Sequence, residues 1–507
     1  MSLLHKFFLL YFLPLLIAQA KPLKTIPFNL FFDDDGINCE NFQYPSEILA
    51  PVPYLKECLS TIDVLAVFPG DPDYYNSIKV ANCRNNYFPV VVIYATTISD
   101  IQKSIHCANT LNISATARSG GHSFEEYGNG GKNGVMVIDV QEFKQIDINF
   151  ETKTAIIGVG NRLGEIYHKL NKFGYLISAG ECINVGLGGH ATGGGFGWTG
   201  RKYGLASDNI VSAEMVTANG TFISPINLTH HSDLFFAIRG AGNAGYGIIT
   251  SLTLKIYPVL PIITSITISY LPEQVELAFI TFAKVAKNFN ENLSGYMALR
   301  SKNSNTYTFI FTATYLGIEE EARSAVKELI ELSNPAYIKF EEMTWLGIVD
   351  SYPPFTRQPF KITSYTIPPS GFSQEAIRAL VNFVDDSECQ AIALLDLYAS
   401  EAVSSISINS SAFIHRNIFG VLELELPLKG YSKEVQIKCI EKHLQFRQEF
   451  QAKYTSYFSY QDYIDKDLSD WLTRYYGPHV NRLIEIKKKY DPNNLFNWKQ
   501  SIPTKLP

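Results

Sequence analysis

Two glycine-rich stretches about 60 residues apart hold the side chains best suited to chemistry. The first is Arg118-Ser119-Gly120-Gly121-His122-Ser123. Paired glycines let backbone N–H groups approach an anion, as in a phosphate cradle, and His122 would then sit beside the ligand. The second is Gly180-Glu181-Cys182-Ile183-Asn184-Val185-Gly186-Leu187-Gly188-Gly189-His190-Ala191-Thr192-Gly193-Gly194-Gly195-Phe196-Gly197. So many adjacent glycines disfavour a core helix. They suit close passage of backbone along a large planar or pyrophosphate-bearing ligand. Gly186-x-Gly188-x-x-Ala191 nominally fits the dinucleotide fingerprint, but that fingerprint wants a strand–turn–helix. Gly193, Gly194 and Gly195 argue against the helix. A nicotinamide-dependent dehydrogenase is therefore a second reading. A glycosylated secreted binding protein or hydrolase is a third, although neither H-E-x-x-H nor G-x-S-x-G occurs.

The elements that must position these loops are short strands alternating with helices. PVVVIYA (89–95) reads as a buried strand by its length and β-branching. Residues 99–111 have helical spacing, and strands are expected at 113–117 and 135–139. Further on, 260–270, 307–315, 392–398 and 419–426 read as strands. Segments 274–288, 317–332, 430–454 and 471–490 read as helices, the last stopped by Asp491-Pro492. The class is α+β: an N-terminal α/β unit, then an antiparallel sheet with helices.

Composition narrows the function. The chain has 507 residues, 46% of them hydrophobic, which excludes a disordered chain. A formal net charge of −6 gives no global attraction to nucleic acid or anionic lipid. Phe and Tyr number 33 and 29, which favours strands and an aromatic-lined pocket. Residues 1–20 (MSLLHKFFLLYFLPLLIAQA) have one early lysine, a short apolar run and an Ala-x-Ala end, the pattern of a secretory signal peptide. The apolar run is too short to span a membrane, so a secreted protein that leaves the membrane is expected. Sequons at Asn112, Asn219, Asn227, Asn292 and Asn409 agree with that route. Of the seven cysteines most should pair outside the cell, and the odd count leaves at least one for another use. No C-x-x-C occurs, and no metal site is expected.

Together the two glycine stretches resemble the berberine bridge enzyme family of FAD-linked oxidases, within the vanillyl-alcohol oxidase (PCMH-type) flavoprotein superfamily. Further similarity runs in order: WTGRKYGLASDN (198–209), DLFFAIRGAGNAGYGIIT (233–250), FKITSY (360–365), AFIHR (412–416), YFSYQD (457–462) and the terminal stretch 475–502. The resemblance implies a signal peptide over 1–20, an FAD-binding domain over 21–258, a substrate domain over 259–455 and a terminal module over 456–507 that returns to the FAD domain.

The resemblance also assigns roles. His122 and Cys182 hold the positions that bond covalently to the flavin 8α-methyl and C6. Arg118, Ser119, Gly120, Gly121, Ser123, Val185, Gly186, Gly188, Gly189, His190, Gly193, Gly194, Gly195, Gly197, Gly247, Ile249 and Asn494 become cofactor-binding residues. Tyr460 takes the position of a base, with Asp396 as its aid, although Ser459 and the missing glycines after Asp396 depart from the family's motifs. Leu187 stands where a side chain gates oxygen. Cys58–Cys107 matches the family's N-terminal disulfide, while the pairing of Cys39, Cys83, Cys389 and Cys439 stays open. The implied activity is oxidation of an alcohol or lactol, foremost a reducing sugar or oligosaccharide, with O2 reduced to hydrogen peroxide. A secondary-metabolite substrate, or a quinone-like acceptor instead of O2, is the alternative. A monomer acting on a small molecule is expected.

Overall fold

The computed structural model describes residues 39, 43–60, 64–301, 308–386 and 388–506. The segment read as a signal peptide lies outside the described residues. Among the described residues no helix is long and apolar enough to cross a membrane.

The chain is α+β, built on three main sheets. The first holds β1 (Leu65–Val67), β2 (Val91–Tyr94), β3 (Ala115–Arg118) and β4 (Met136–Asp139) in the order β1-β2-β4-β3. β4 pairs in parallel with both β2 and β3. A parallel strand must be buried on both faces, and β2 and β4 accordingly have no exposed residue and are apolar apart from the terminal Asp139 of β4. The helix Ile98–Thr110 makes the crossover. It is started by a capping box in which the Thr97 side chain accepts from Asp100 N–H and Asp100 accepts from Thr97 N–H.

The second sheet uses β5 (Ile146–Asn149), β6 (Thr154–Gly158), β8 (Ile210–Thr217), β9 (Phe222–Ile226) and β10 (Gly247–Lys255), with β7 (Tyr175–Leu176) and β11 (Tyr257–Pro258) forming a small ribbon beside it. Its order is β5-β6-β10-β8-β9, all antiparallel. One continuous apolar core joins these two sheets and takes in the C-terminal helix Val480–Tyr490.

The third sheet holds β12 (Ile263–Tyr270), β13 (Leu293–Leu299), β14 (Phe309–Tyr315), β15 (Tyr337–Met343), β16 (Phe360–Ile367), β17 (Ile392–Leu397) and β18 (Gly420–Pro427). All seven are antiparallel, in the order β15-β12-β14-β13-β17-β18-β16. Strand alternation gives it two unlike faces. Met297, Leu395, Leu397, Leu422 and Leu424 pack with the helices Val275–Val285 and Gln374–Val384 into a second core. Tyr296, Asp396 and Glu423 lie on the opposite face.

Two expected helices are divided. The segment 317–332 breaks at Val326 into Glu319–Ala325 and Lys327–Ser333. The segment 471–490 breaks into Trp471–Tyr476 and Val480–Tyr490, where Gly477-Pro478 cannot continue a helix. Disulfides join Cys39–Cys83, Cys58–Cys107 and Cys389–Cys439, leaving Cys182 free.

Candidate active site

β3 hands the chain directly to the first glycine stretch. Arg118, expected among the cofactor-binding residues, is committed elsewhere: its Nε donates to Asp139 on β4 at 2.5 Å and Nη1 to Asn129 at 2.9 Å. This buried ion pair fixes the exit of β3 and keeps the guanidinium away from the cleft. Ser119 Oγ donates to the Val159 carbonyl at 2.6 Å and accepts from Gly188 N–H at 3.4 Å. Beside it the two stretches touch: a Cβ on Gly120 would overlap the backbone of Gly186, and one on Gly186 would overlap Gly120. The His122 ring meets Phe355 edge-on at 5.6 Å. Burial, aided by Arg162, pushes its imidazole down to about 4, so the ring is neutral.

The second stretch does contain a helix, Leu187–Gly193, contrary to the expectation from its glycines. The turn is held from outside by the Leu187 N–H, which donates to Asn161 O at 3.0 Å, and from within by Thr192 Oγ1, which donates to Gly188 O at 2.7 Å. Leu187 itself is fully enclosed in the main core. His190 Nε2 accepts from Gly180 N–H at 2.8 Å and ties the stretch to its own start. Cys182 is exposed, yet its thiol is pushed up to about 12, by burial first and then by Glu181, Glu423, Glu425 and Asp396. The opening at Cys182 is thus a cleft deep within the protein, and the thiol there is neutral.

Gly193, Gly194 and Gly195 are explained by what lies against them. A Cβ on Gly193 would overlap Asp462, and one on Gly194 would stand 2.6 Å from Tyr460 Oη. The Gly195 N–H donates to Tyr460 Oη at 2.8 Å. Tyr460 Oη in turn donates to Asp462 Oδ2 at 2.8 Å, and Asn243 Nδ2 donates to Asp462 Oδ1 at 2.9 Å. Ser364 Oγ on β16 accepts from Tyr460 N–H at 2.9 Å, and Gln461 Nε2 donates to the carbonyls of Gly193 and Gly240. Burial pushes Asp462 up to about 7 and Tyr460 well above its ordinary 10.

Asp396 is not the direct partner of Tyr460. It stands on the cleft face of β17 and accepts from Tyr463 Oη at 2.6 Å. Burial pushes it up to about 6 against that hydrogen bond. Tyr463 stacks on Phe124 at 5.8 Å, two residues beyond His122. The cleft therefore holds two tyrosine–carboxyl pairs, Tyr460–Asp462 and Tyr463–Asp396.

Three further acids on the cleft are absent from the sequence reading. Glu423 and Glu425 alternate on β18, and Glu181 precedes Cys182. Burial pushes Glu425 up to about 7 and Glu181 to about 8, and Glu423 well above its ordinary range. Their signal is present in FGVLELEL, where two acids alternate with leucines. In sequence that pattern reads as a half-exposed strand.

Gly197 passes against Ala179, and Gly247 passes 2.6 Å (as a Cβ) from Met215 Sδ at the start of β10. Ile249 belongs to the main core. Asn494 is held at φ 53° by a clamp in which Lys487 Nζ donates to Asp491 at 2.7 Å and Asp491 accepts from Leu495 and Phe496 N–H.

These residues fit an extended flavin cofactor. A neutral imidazole and a free thiol stand on facing loops, glycines pave the space between, and a Cβ on Gly189 would meet nothing. The buried Asn494 Oδ1 has no hydrogen-bond partner, as a position awaiting a ligand's donor would. The fold and this site define an FAD-linked oxidoreductase.

The comparisons agree. A model for an FAD binding domain matches residues 89–224, and one for berberine and berberine-like proteins matches 459–503. The solved structure of wild-type BBE-like 1 from Physcomitrella patens is 32% identical with a TM-score of 0.84, covering 89% of this chain and 100% of that one. A carbohydrate oxidase of Microdochium nivale is 27% identical over 480 residues, 88% of this chain and 94% of its own. A tetrahydroberberine oxidase of Argemone mexicana is 28% identical over 493 residues, 87% and 89% of the two chains. The chain belongs to the berberine bridge enzyme-like family.

Proposed function

We propose that this protein is a secreted oxidase of an alcohol or lactol, foremost a reducing sugar or oligosaccharide taken to its lactone. The observation that carries this reading is Tyr460 Oη, set between Gly195 N–H and Asp462 at the glycine stretch that bears Cys182. FAD, held covalently by His122 and Cys182, would supply the hydride acceptor, with O2 as its oxidant and hydrogen peroxide as the by-product. Tyr460 would take the substrate's hydroxyl proton while its own proton passes to Asp462. Such a pass-through avoids forming a free phenolate, which burial makes costly. The neutral His122 ring suits nucleophilic attachment; the Cys182 thiol must lose its proton as it bonds.

The extracytoplasmic assignment rests on the leader-like residues 1–20, three disulfides and the exposed sequons Asn112, Asn219 and Asn409. The domain limits proposed are 21–258, 259–455 and 456–507, the second core lying within the middle one. A second reading, a nitrogen-bearing secondary metabolite, draws support from the acids Glu181, Glu423 and Glu425 on the cleft wall.

A panel of cello-, chito- and xylo-oligosaccharides, beside tertiary-amine alkaloids, tests both. Each is mixed anaerobically with the flavinylated protein and then assayed in air for peroxide. Bleaching and peroxide with a sugar support the first reading. Bleaching by amines alone overturns it in favour of the second. Bleaching without peroxide points to a quinone-like acceptor.

A further inference from the structure

Tyr398 is enclosed, 1% exposed, and its hydroxyl makes no hydrogen bond of ordinary length, the Tyr460 side chain being the group it interacts with. A buried hydroxyl left unpaired is costly, so its surroundings bear on its use. Its ring stacks on Phe196 of the glycine stretch at 4.1 Å and 19°. Tyr460 meets it edge-on at 6.3 Å between centroids, and Tyr460 meets Tyr463 at 5.2 Å. Asp396 and Asp462, the acids of the two separate pairs, both act electrostatically on the Tyr398 phenol. It therefore packs with Tyr460 and Tyr463 in one aromatic cluster, beside both tyrosine–carboxyl pairs, whose tyrosine rings meet edge-on.

We propose that Tyr398 couples Tyr460–Asp462 to Tyr463–Asp396 as one proton relay. As the substrate's O–H proton reaches Tyr460 Oη, the proton already on Tyr460 leaves by one of two routes. It passes to Asp462, or to Tyr398 Oη while the Tyr398 proton moves on to Asp396. One proton enters, one carboxylate becomes a carboxylic acid, and no other bond changes. Tyr398 is a positioning residue, acting through Tyr460. The relay gives Asp396 a route to Tyr460, although its own hydrogen bond is with Tyr463. The groups facing Tyr398 are Asp396 from β17, Tyr460, Asp462 and Tyr463 from the terminal segment, and the uncharged Phe196; Glu423 on β18 acts through Tyr463.

The proposal rests on the reading of Tyr460 as proton acceptor, but the coupling can be measured without a substrate. Infrared difference titration of the flavinylated protein follows the two carboxyl bands, assigned by their loss in Asp396→Asn and Asp462→Asn. Coupled groups titrate as a pair. Asp396→Asn should move the Asp462 midpoint by about one pH unit, and in Tyr398→Phe, which keeps the ring on Phe196, that displacement should collapse. An equal displacement with and without the hydroxyl would mean simple through-space repulsion between the two carboxylates and overturn the relay. Should Tyr398→Phe not fold, 3-fluorotyrosine at position 398 keeps the ring and makes the hydroxyl more acidic. Both midpoints then move together if the relay exists, and stay put if it does not. A failed relay leaves the effect of Tyr460→Phe on flavin bleaching intact, so the two ideas fall separately.

Discussion

Tyr460 and Asp462, two residues apart, share a 2.8 Å hydrogen bond, and Gly195 N–H donates to the same phenol oxygen at 2.8 Å. This contact explains the bare glycines at 193–195, since a side chain at Gly193 or Gly194 would strike the pair. It also sets the chemistry. A phenol raised well above 10 by burial does not ionise by itself near neutrality, but it can hand its proton to a neighbouring carboxylate as it accepts another.

Tyr460→Phe should therefore slow anaerobic flavin bleaching by about 10²–10⁴-fold, the usual worth of a positioned base. Asp462 must be ionised to receive the proton, and its carboxyl is pushed up to about 7 by burial. The bleaching rate should rise with pH through about 7, and this limb should vanish in Asp462→Asn. Stopped-flow bleaching across that range is the check; a flat native profile would contradict the role of Asp462.

Lys361 of β16 is fully enclosed against Asp465, with Asp467 at 2.9 Å and Glu125 at 3.6 Å. It joins the third sheet to the terminal segment and to the loop after His122. Lys361→Met strands these acids without a counter-charge and should cost about 3–5 kcal/mol, read from urea unfolding. Burial opposes ionisation of Asp465, but Lys361 and Arg447 overcome it and hold the carboxyl down to about 2. An unfolded aspartate lies near 3.9. The folded value is the lower one, so the stabilisation is complete above about pH 4 and is lost as pH falls towards 2. Its size is roughly 2–3 kcal/mol. A melting temperature that does not fall over that window in the native protein would contradict the assignment.

Leu187→Val should trim a core side chain and lower stability by about 1 kcal/mol. Because Leu187 is enclosed in the main core, reoxidation of the reduced flavin in air should be unchanged. Rapid mixing of the reduced variant with oxygenated buffer decides it. A faster reoxidation would assign Leu187 the role of an oxygen gate.

Much of this site is legible in the sequence because glycines are rarely ambiguous. Gly120 and Gly186 mark a close approach of backbones, and their neighbours His122 and Cys182 follow. Tyr460 is legible from YFSYQD, which also contains Asp462. The resemblance points to Asp396 as the aid of Tyr460, but which side chain reaches it cannot be read locally: the hydrogen bond comes from Tyr463, in a distant segment. Arg118 resembles an anion binder until β4 supplies Asp139. Glu423 and Glu425 look like solvent-facing residues because alternation gives a strand's two faces but not what covers each. The helix Leu187–Gly193 defeats its own propensity because Asn161 and Thr192 hold its turns.

The central claim is that the cleft between the two glycine stretches is a flavin site with two points of attachment. Acid precipitation of the purified protein, followed by the absorbance of pellet and supernatant, tests it most directly. The account predicts a yellow pellet for the native protein, for Cys182→Ala and for His122→Ala, and release of flavin to the supernatant only when both residues are replaced. A colourless native pellet, or flavin that stays with the doubly substituted protein, would contradict it.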